Sequence, residues 1–444
     1  MNVGLFVALL LPALMKVSPA PTEACPLCGA YQWESGGFVD ILTWEEMGPG
    51  RLVAFDDQGW VRVLTPAGPR SFTVGRTIAI PDPVAARLRF EPTDASKPAQ
   101  MVWEAEGQQP RVARRVQDHR SELVSFANGT TRLAGTLLIP PGKGPHPGLV
   151  LLHGSGPQDR NGTLPFARFL VRHGIAILAF DKRGVGASQG DWRKASFETL
   201  AEDALAGVAF LRSRRDMDKR RIGLFGVSQG GWIGPLAASR SRTVALVVSI
   251  SGPGVTPAEQ TLDLIEAELR NGGAPEAEIK EALDLTKLAF HYGRTGSGWD
   301  DYAAALARSQ GRSWLPYLQL PPDPQDGGSD QQRLFFNYDP APALAALRCP
   351  VLALFGERDS GIPVEKNRGL WLEALTRGGH RKHDLIVVPG ADHLMFEAKT
   401  GSMFEIPNLD GFVPGYRRIL LDWLSEQFGL PERLKASDNG ESKG

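Results

Sequence analysis

Ser228 stands in Gly226-Val-Ser-Gln-Gly230, behind the apolar run Ile222–Phe225 and ahead of a helix-like stretch. A serine hydroxyl attacks a carbonyl carbon only when a base removes its proton and a carboxylate orients that base. The G-x-S-x-G spacing between a strand and a helix makes a sharp turn that exposes the serine over the positive pole of the helix. Glycines at its two ends let strand and helix approach where any Cβ would clash.

The partners of such a serine are expected at the ends of later strands, in the order serine, acid, histidine. Phe355-Gly-Glu-Arg-Asp359 follows one apolar run and Pro389-Gly-Ala-Asp-His393 follows the next. Asp359 is the expected acid, and Glu357, nearer the strand end, reads as a support for the loop. His393 alone of eight histidines stands just past a late strand in a glycine-bearing loop, and is the expected base. His380 and His383 read as solvated, His291 falls among helices, and Asp392 reads as exposed or as holding its loop. The oxyanion of a tetrahedral intermediate needs preorganised donors. They are expected from the Gln229 amide, next to the nucleophile, and from Ser155 in the loop His153-Gly-Ser-Gly156, with Gly156 the alternative. His153 reads as a shaper of that loop, and Asp159 with Arg160 as a pair that fixes it or contacts substrate. Asp181-Lys-Arg-Gly-Val-Gly186 imitates a phosphate-binding loop without its glycine series and reads as a structural turn.

These residues need a scaffold that brings strand ends together. From residue 120 to 430 strands and helices alternate, and the strands Gly148–Leu152, Ile175–Phe180, Val244–Ile250 and Pro350–Phe355 are almost wholly apolar. Such runs imply a mostly parallel, doubly wound sheet with helices on both faces, an α/β fold. Asn128-Gly129 marks a hairpin just ahead of it. The alternation stops at 253–345, where amphipathic patterns at Glu259–Arg270, Pro275–His291 and Asp300–Ser309 read as a helical cap inserted between late strands. Trp232, Trp299, Trp314, Tyr317, Phe335 and Phe336 would shape an acyl pocket if they faced it, and each reads first as core. Residues 25–118 carry short alternating runs between frequent turns, the pattern of an antiparallel β-module. No catalytic cluster appears in it, so it reads as an accessory domain, with the basic stretch Arg111–Arg120 as a solvated strand edge.

Composition bounds the remaining choices. With 42% hydrophobic and 22% charged residues the 444-residue chain is long enough for a large core and more than one domain. Lys+Arg 49 against Asp+Glu 50 carries no nucleic-acid footprint. The apolar segment Val3–Met15 is too short for a membrane span. With Ser18-Pro-Ala20 behind it, residues 1–20 read as an export signal, which implies a periplasmic or secreted protein, or a cytoplasmic one if the segment is no signal. Cys25 and Cys28 are expected to form a disulfide, since no second C-x-x-C completes a metal site, and Cys349 reads as core. Residues 435–444 form a polar tail, and the oligomeric state is left open.

Together, His153-Gly-Ser-Gly156, Asp181-Lys-Arg-Gly184, Gly226-Val-Ser-Gln-Gly230, Gly356-Glu-Arg-Asp359 and Gly390-Ala-Asp-His393 resemble the α/β-hydrolase family over about residues 120–430. The stretch from His153 to Asn161 is similar to a bacterial esterase subgroup often labelled serine aminopeptidase-like. The resemblance implies hydrolysis of small-molecule carboxylic esters by a Ser228–His393–Asp359 triad through an acyl-enzyme, without metal or cofactor. A serine peptidase of aminopeptidase or dipeptidyl-peptidase type is the alternative, although no acidic pair for a free amine is evident. A non-catalytic binding protein on a hydrolase scaffold is the remote one. A haloalkane dehalogenase would need Asp at position 228 and a dienelactone hydrolase Cys.

Overall fold

The structure, a computed structural model, describes residues 25–431 except 49, 93–97, 319, 322, 324–334 and 336. The expected export signal, Phe336 and the polar tail lie outside the described residues.

Short alternating segments build the first sheet. Its strands are β1 (Gly29–Trp33), β2 (Phe38–Thr43), β3 (Leu52–Asp56), β4 (Val61–Val63), β5 (Thr65–Gly68), β6 (Ser71–Val74), β7 (Ala86–Glu91), β8 (Gln100–Ala105) and β9 (Arg111–Val116). They pair antiparallel in the order β4-β3-β2-β1-β9-β8-β7-β6-β5. In β7 the period of two buries Ala86, Leu88 and Phe90 and turns Arg87 outward, as a half-buried strand requires. The basic stretch from Arg111 is not a sheet edge: β9 lies between β1 and β8 and pairs with both. Its charges are met on the sheet face, where Arg114 pairs with Glu34 at 3.0 Å and Arg111 lies 4.1 Å over the Trp33 ring. Cys25 and Cys28 are joined as a disulfide ahead of β1.

The second sheet comprises β10 (Arg120–Asn128), β11 (Thr131–Ile139), β12 (His146–Leu152), β13 (Ala176–Phe180), β14 (Met217–Val227), β15 (Val247–Ile250), β16 (Val351–Gly356) and β17 (His383–Val388). Its order is β10-β11-β13-β12-β14-β15-β16-β17, antiparallel through the β11–β13 pair and parallel from β13 onward. Every residue of β12 and β13 is buried, which explains their unbroken apolar runs. After β12 the chain forms α1 (Leu164–Ala167) and a 3-10 segment Arg168–His173 that ends on left-handed Gly174, φ 86°. Then come α2 (Phe197–Ser213), α3 (Gly230–Ser239), α4 (Pro257–Asn271), α5 (Glu276–Thr295), α6 (Trp299–Arg308), α7 (Ala341–Ala345), α8 (Val364–Arg377) and α9 (Tyr416–Phe428). Helices α4 to α6 stand between β15 and β16. A capping box of Thr256 and Glu259 starts α4, and Ile265, Leu285, Tyr302 and Trp314 form a core of their own.

The two sheets share one hydrophobic core. Leu42, Trp44, Phe55 and Val61 of the first pack in the same cluster as Phe166, Leu170, Phe396 and Tyr416. Beside it runs a buried ionic network. Arg168 meets Asp40 at 2.7 Å and Asp118 at 3.0 Å, and Arg172 meets Asp40 and Asp118 at 3.0 Å and Asp57 at 3.2 Å. His380 departs from its expected solvation: it is buried, with Nε2 2.8 Å from the Cys349 carbonyl. Its polar sequence neighbours hid a backbone acceptor thirty-one residues away.

Candidate active site

Ser228 occupies the two-residue gap between β14 and α3 with φ 56°, a left-handed conformation that costs a non-glycine residue about 1–3 kcal/mol. Two backbone hydrogen bonds hold it there: Ser228 N–H donates to Ile250 O at 2.9 Å, and Gly231 N–H to Ser228 O at 2.7 Å. The flanking glycines are required by contact. A Cβ on Gly226 would lie 2.2 Å from Gly230 O, and one on Gly230 would lie 2.8 Å from Leu152 O.

His393 follows β17 and Asp359 follows β16, as neighbouring strand ends demand. Asp359 Oδ1 accepts from the amides of Gly361 and Ile362 at 3.0 and 2.9 Å, while Oδ2 meets His393 Nδ1 at 2.8 Å. Ser251 Oγ donates to the His393 carbonyl at 2.8 Å and fixes the loop from the β15 side. Burial alone would lower the His393 pKa, but the charge and hydrogen bond of Asp359 outweigh it and raise the value, with Asp392 and Glu46 adding to the effect. Glu357 supports the loop by accepting from Gly390 N–H at 2.8 Å. Asp392 is buried rather than exposed: its Oδ1 takes the amides of Leu394 and Phe396, both at 2.8 Å. Burial pushes that carboxyl up to about 7 against those hydrogen bonds.

Ser228 and His393 line one narrow cavity of about 30 Å³, room for roughly one water, with Gly154, Ser155, Gln158, Phe166 and Met403. No hydrogen bond joins Ser228 Oγ to His393 Nε2, and such contacts commonly tighten only around substrate. Two further walls come from the first sheet's turn after β2, Trp44 and Glu46. Trp44 Nε1 donates to Gly162 O at 3.0 Å. The module expected as an accessory domain thus lends two walls to the serine's cavity. The reason it escaped notice is that a Trp and a Glu in a short turn carry no motif.

The Ser155 and Gln229 amides have no protein acceptor among the described residues. Their loop is tied down on each side. Gly154 N–H donates to Gln158 Oε1 at 2.6 Å, and Gln158 Nε2 to Glu46 Oε1 at 2.5 Å. Lys182 Nζ donates to Gly154 O, Gly156 O and Gln229 Oε1 at 2.6, 2.8 and 3.0 Å. Arg160 grips Asp181 through Nε and Nη2 at 2.9 and 2.6 Å, and Asp159 caps Asn161 N–H, so both fix the loop rather than face the cavity. His153 Nε2 lies 2.5 Å from Phe180 O, and burial and the Lys182 charge push its pKa down to about 3.

The described aromatic candidates do not wall this cavity. Trp314 is buried in the core of α4–α6, Trp299 packs on Tyr302, Tyr317 meets Phe404, and Phe335 stacks on Phe197. Trp232 donates its indole N–H to Val255 O at 3.1 Å. Among the described residues no group of three His, Cys, Asp or Glu side chains is arranged to hold a metal ion.

Against known proteins, the model of the alpha/beta hydrolase family matches residues 149–400, more than half of the chain. Esterase EstD of Thermotoga maritima is 27% identical over 277 residues, which cover 60% of this chain and 59% of that protein. Acyl-coenzyme A thioesterase 2, mitochondrial, of Mus musculus is 27% identical over 226 residues, covering 50% of this chain and 45% of that protein. The match thus spans less than two thirds of either relative. An esterase structure from Pyrococcus furiosus aligns with TM-score 0.42 at 18% identity, covering 71% of this chain and 91% of that one. The strand order of the second sheet, the turn at Ser228 and the family match agree: the chain belongs to the alpha/beta hydrolase family.

Proposed function

We propose that the protein hydrolyses carboxylic esters with small or medium acyl groups through a covalent acyl-enzyme. The observation that carries this reading is the Asp359–His393 hydrogen bond opening onto the cavity that holds the strained Ser228. In this reading Ser228 Oγ attacks the ester carbonyl carbon while His393 Nε2 takes its proton. The backbone N–H groups of Ser155 and Gln229 donate to the oxyanion and stabilise its charge. Collapse breaks the ester C–O bond, and the alcohol leaves with the proton from His393. Water, deprotonated by the same imidazole, then attacks the acyl carbon and releases the carboxylic acid and free Ser228. Two relatives, an esterase and a thioesterase, support acyl transfer to water. The Cys25–Cys28 disulfide supports an oxidising compartment.

Replacing Ser228 with Ala tests this directly on a p-nitrophenyl ester series. Loss of turnover on the order of a millionfold in kcat is expected, with the thermal unfolding midpoint little changed, since Ala keeps the Cβ and the left-handed backbone. Retained turnover would overturn the reading. Amide cleavage is the second reading. What favours it is Glu46, an acidic residue lining the serine's cavity, where an amino group would be recognised. Rates on an aminoacyl amide and the matching ester separate the two.

A further inference from the structure

Lys182 is the first residue past Asp181 at the end of β13, and it is 3% exposed. No carboxylate forms an ion pair with it among the described residues. An ammonium group so placed is tolerated only if its three N–H bonds are all used. They are: two go to the carbonyls of Gly154 and Gly156, and the third goes to Gln229 Oε1. The Trp192 ring lies 5.9 Å from Nζ and adds a cation–π contact.

The acceptors matter because of what shares their groups. Gly154 O belongs to the same peptide unit as Ser155 N–H, and in a planar trans peptide these two point in opposite directions. A cation fixed on that carbonyl sets the plane of the unit, directs Ser155 N–H away from Lys182, and polarises it as a donor. The other end of the clamp is the side chain of Gln229, the residue whose own amide is the second donor. Ser155 and Gly154 line the serine's cavity, whereas Lys182 lies behind the loop, beside Gly156, Trp192 and Gln229.

We propose that Lys182 is a positioning residue for the oxyanion hole, a single buried cation that holds both donor-bearing segments in register without touching substrate. The proposal rests on the hydrolytic reading above. Burial pushes the Lys182 pKa down to about 7, and the charge of Glu46 opposes that fall.

The test compares wild type, Lys182→Met and Ser228→Ala on p-nitrophenyl butyrate and on an alkyl trifluoromethyl ketone, whose serine adduct carries an oxyanion. For Lys182→Met, kcat should fall on the order of 100-fold, as when an oxyanion donor is lost, with KM changed by less than about threefold. The ketone inhibition constant should rise by a factor similar to the loss in kcat, while competitive inhibition by butyrate stays as in wild type. Unchanged kcat, or a loss expressed in KM with the ketone still bound tightly, would overturn it. Should Lys182→Met fail to fold, Gln229→Ala decides, because it removes one acceptor and keeps the backbone N–H. A loss of about tenfold in kcat with matched weakening of the ketone supports the clamp, and full activity refutes it. A Ser228→Ala protein that keeps its activity removes the hydrolytic reading itself. A Lys182→Met protein that keeps its own, while Ser228→Ala loses it, removes the positioning role alone.

Discussion

Asp359 Oδ2 lies 2.8 Å from His393 Nδ1, with side-chain exposures of 1% and 6%, and the second Asp359 oxygen is committed to two backbone amides. A carboxylate so fixed holds the proton of the neutral imidazole on Nδ1 and leaves Nε2 as the base. Because Asp359 overcomes burial, the His393 pKa lies above the ordinary 6.5. Under the proposed ester hydrolysis only the neutral ring would accept the serine proton, so ester turnover should fall as pH drops through a value above 6.5. Asp359→Asn should lower kcat about 10⁴-fold by favouring the wrong tautomer. A pH–rate profile with its acid limb below the ordinary value would contradict this account of the pair.

Asp392, next to His393, supplies a second pH test. Its folded-state pKa of about 7 exceeds the ordinary 3.8. The stability contributed by the neutral form is therefore full below 3.8 and is lost as pH rises through about 7. Asp392→Asn keeps an acceptor for Leu394 and Phe396 without the charge. The change in unfolding midpoint on substitution should be more favourable at pH 8 than at pH 5. The acid limb of activity should also move down, since Asp392 helps to raise the His393 pKa. Equal shifts at both pH values would show that the carboxylate is not strained by its burial.

The strand ends carrying Ser228, Asp359 and His393 were legible because each loop follows an apolar run whose composition marks a parallel strand. What stayed hidden depends on contacts distant in sequence. Lys182 read as part of a turn, yet β13 neighbours β12, whose following loop bears Ser155, and that adjacency brings ammonium and loop carbonyls together. Glu46 and Trp44 were obscured for the same reason, since Trp44 reaches Gly162 across 118 positions. The aromatics at 299 and 314 were visible as residues, but an amphipathic helical pattern does not say whether its apolar face meets a substrate or a neighbouring helix. Here Trp314 is buried among helices.

The ionic network between the sheets predicts a large stability effect. Arg172 serves Asp40, Asp57 and Asp118, and its removal leaves buried carboxylates uncompensated. Arg172→Met should cost about 3–5 kcal/mol in urea-denaturation free energy. Burial would raise the Asp118 pKa, but His119, Arg168 and Arg172 hold it well below the carboxylate range. Its contribution is therefore present above the ordinary 3.8 and is lost as pH falls below it. The excess stability of wild type over the variant should shrink in strong acid. A loss under about 1 kcal/mol at neutral pH would mean that the network behaves like an exposed pair.

Glu46 discriminates between a wall and a recognition group. Its Oε1 accepts from Gln158, which in turn accepts from Gly154 N–H, so the carboxylate bears on the loop ahead of Ser155. In Glu46→Gln the amide oxygen can still accept from Gln158, but a charge-assisted bond becomes a neutral one. That change is worth about 1 kcal/mol, or roughly fivefold in rate if it is felt fully at the oxyanion. A role through the loop predicts the same small fall in kcat/KM for a neutral acyl ester and for an ester carrying a free amino group. A carboxylate that binds substrate directly predicts something else: the amino ester should lose at least about tenfold more than the neutral one, because an ion pair in the cavity disappears along with the charge. The contact to Gln158 favours the first outcome, and the second would transfer the argument from ester to aminoacyl amide cleavage.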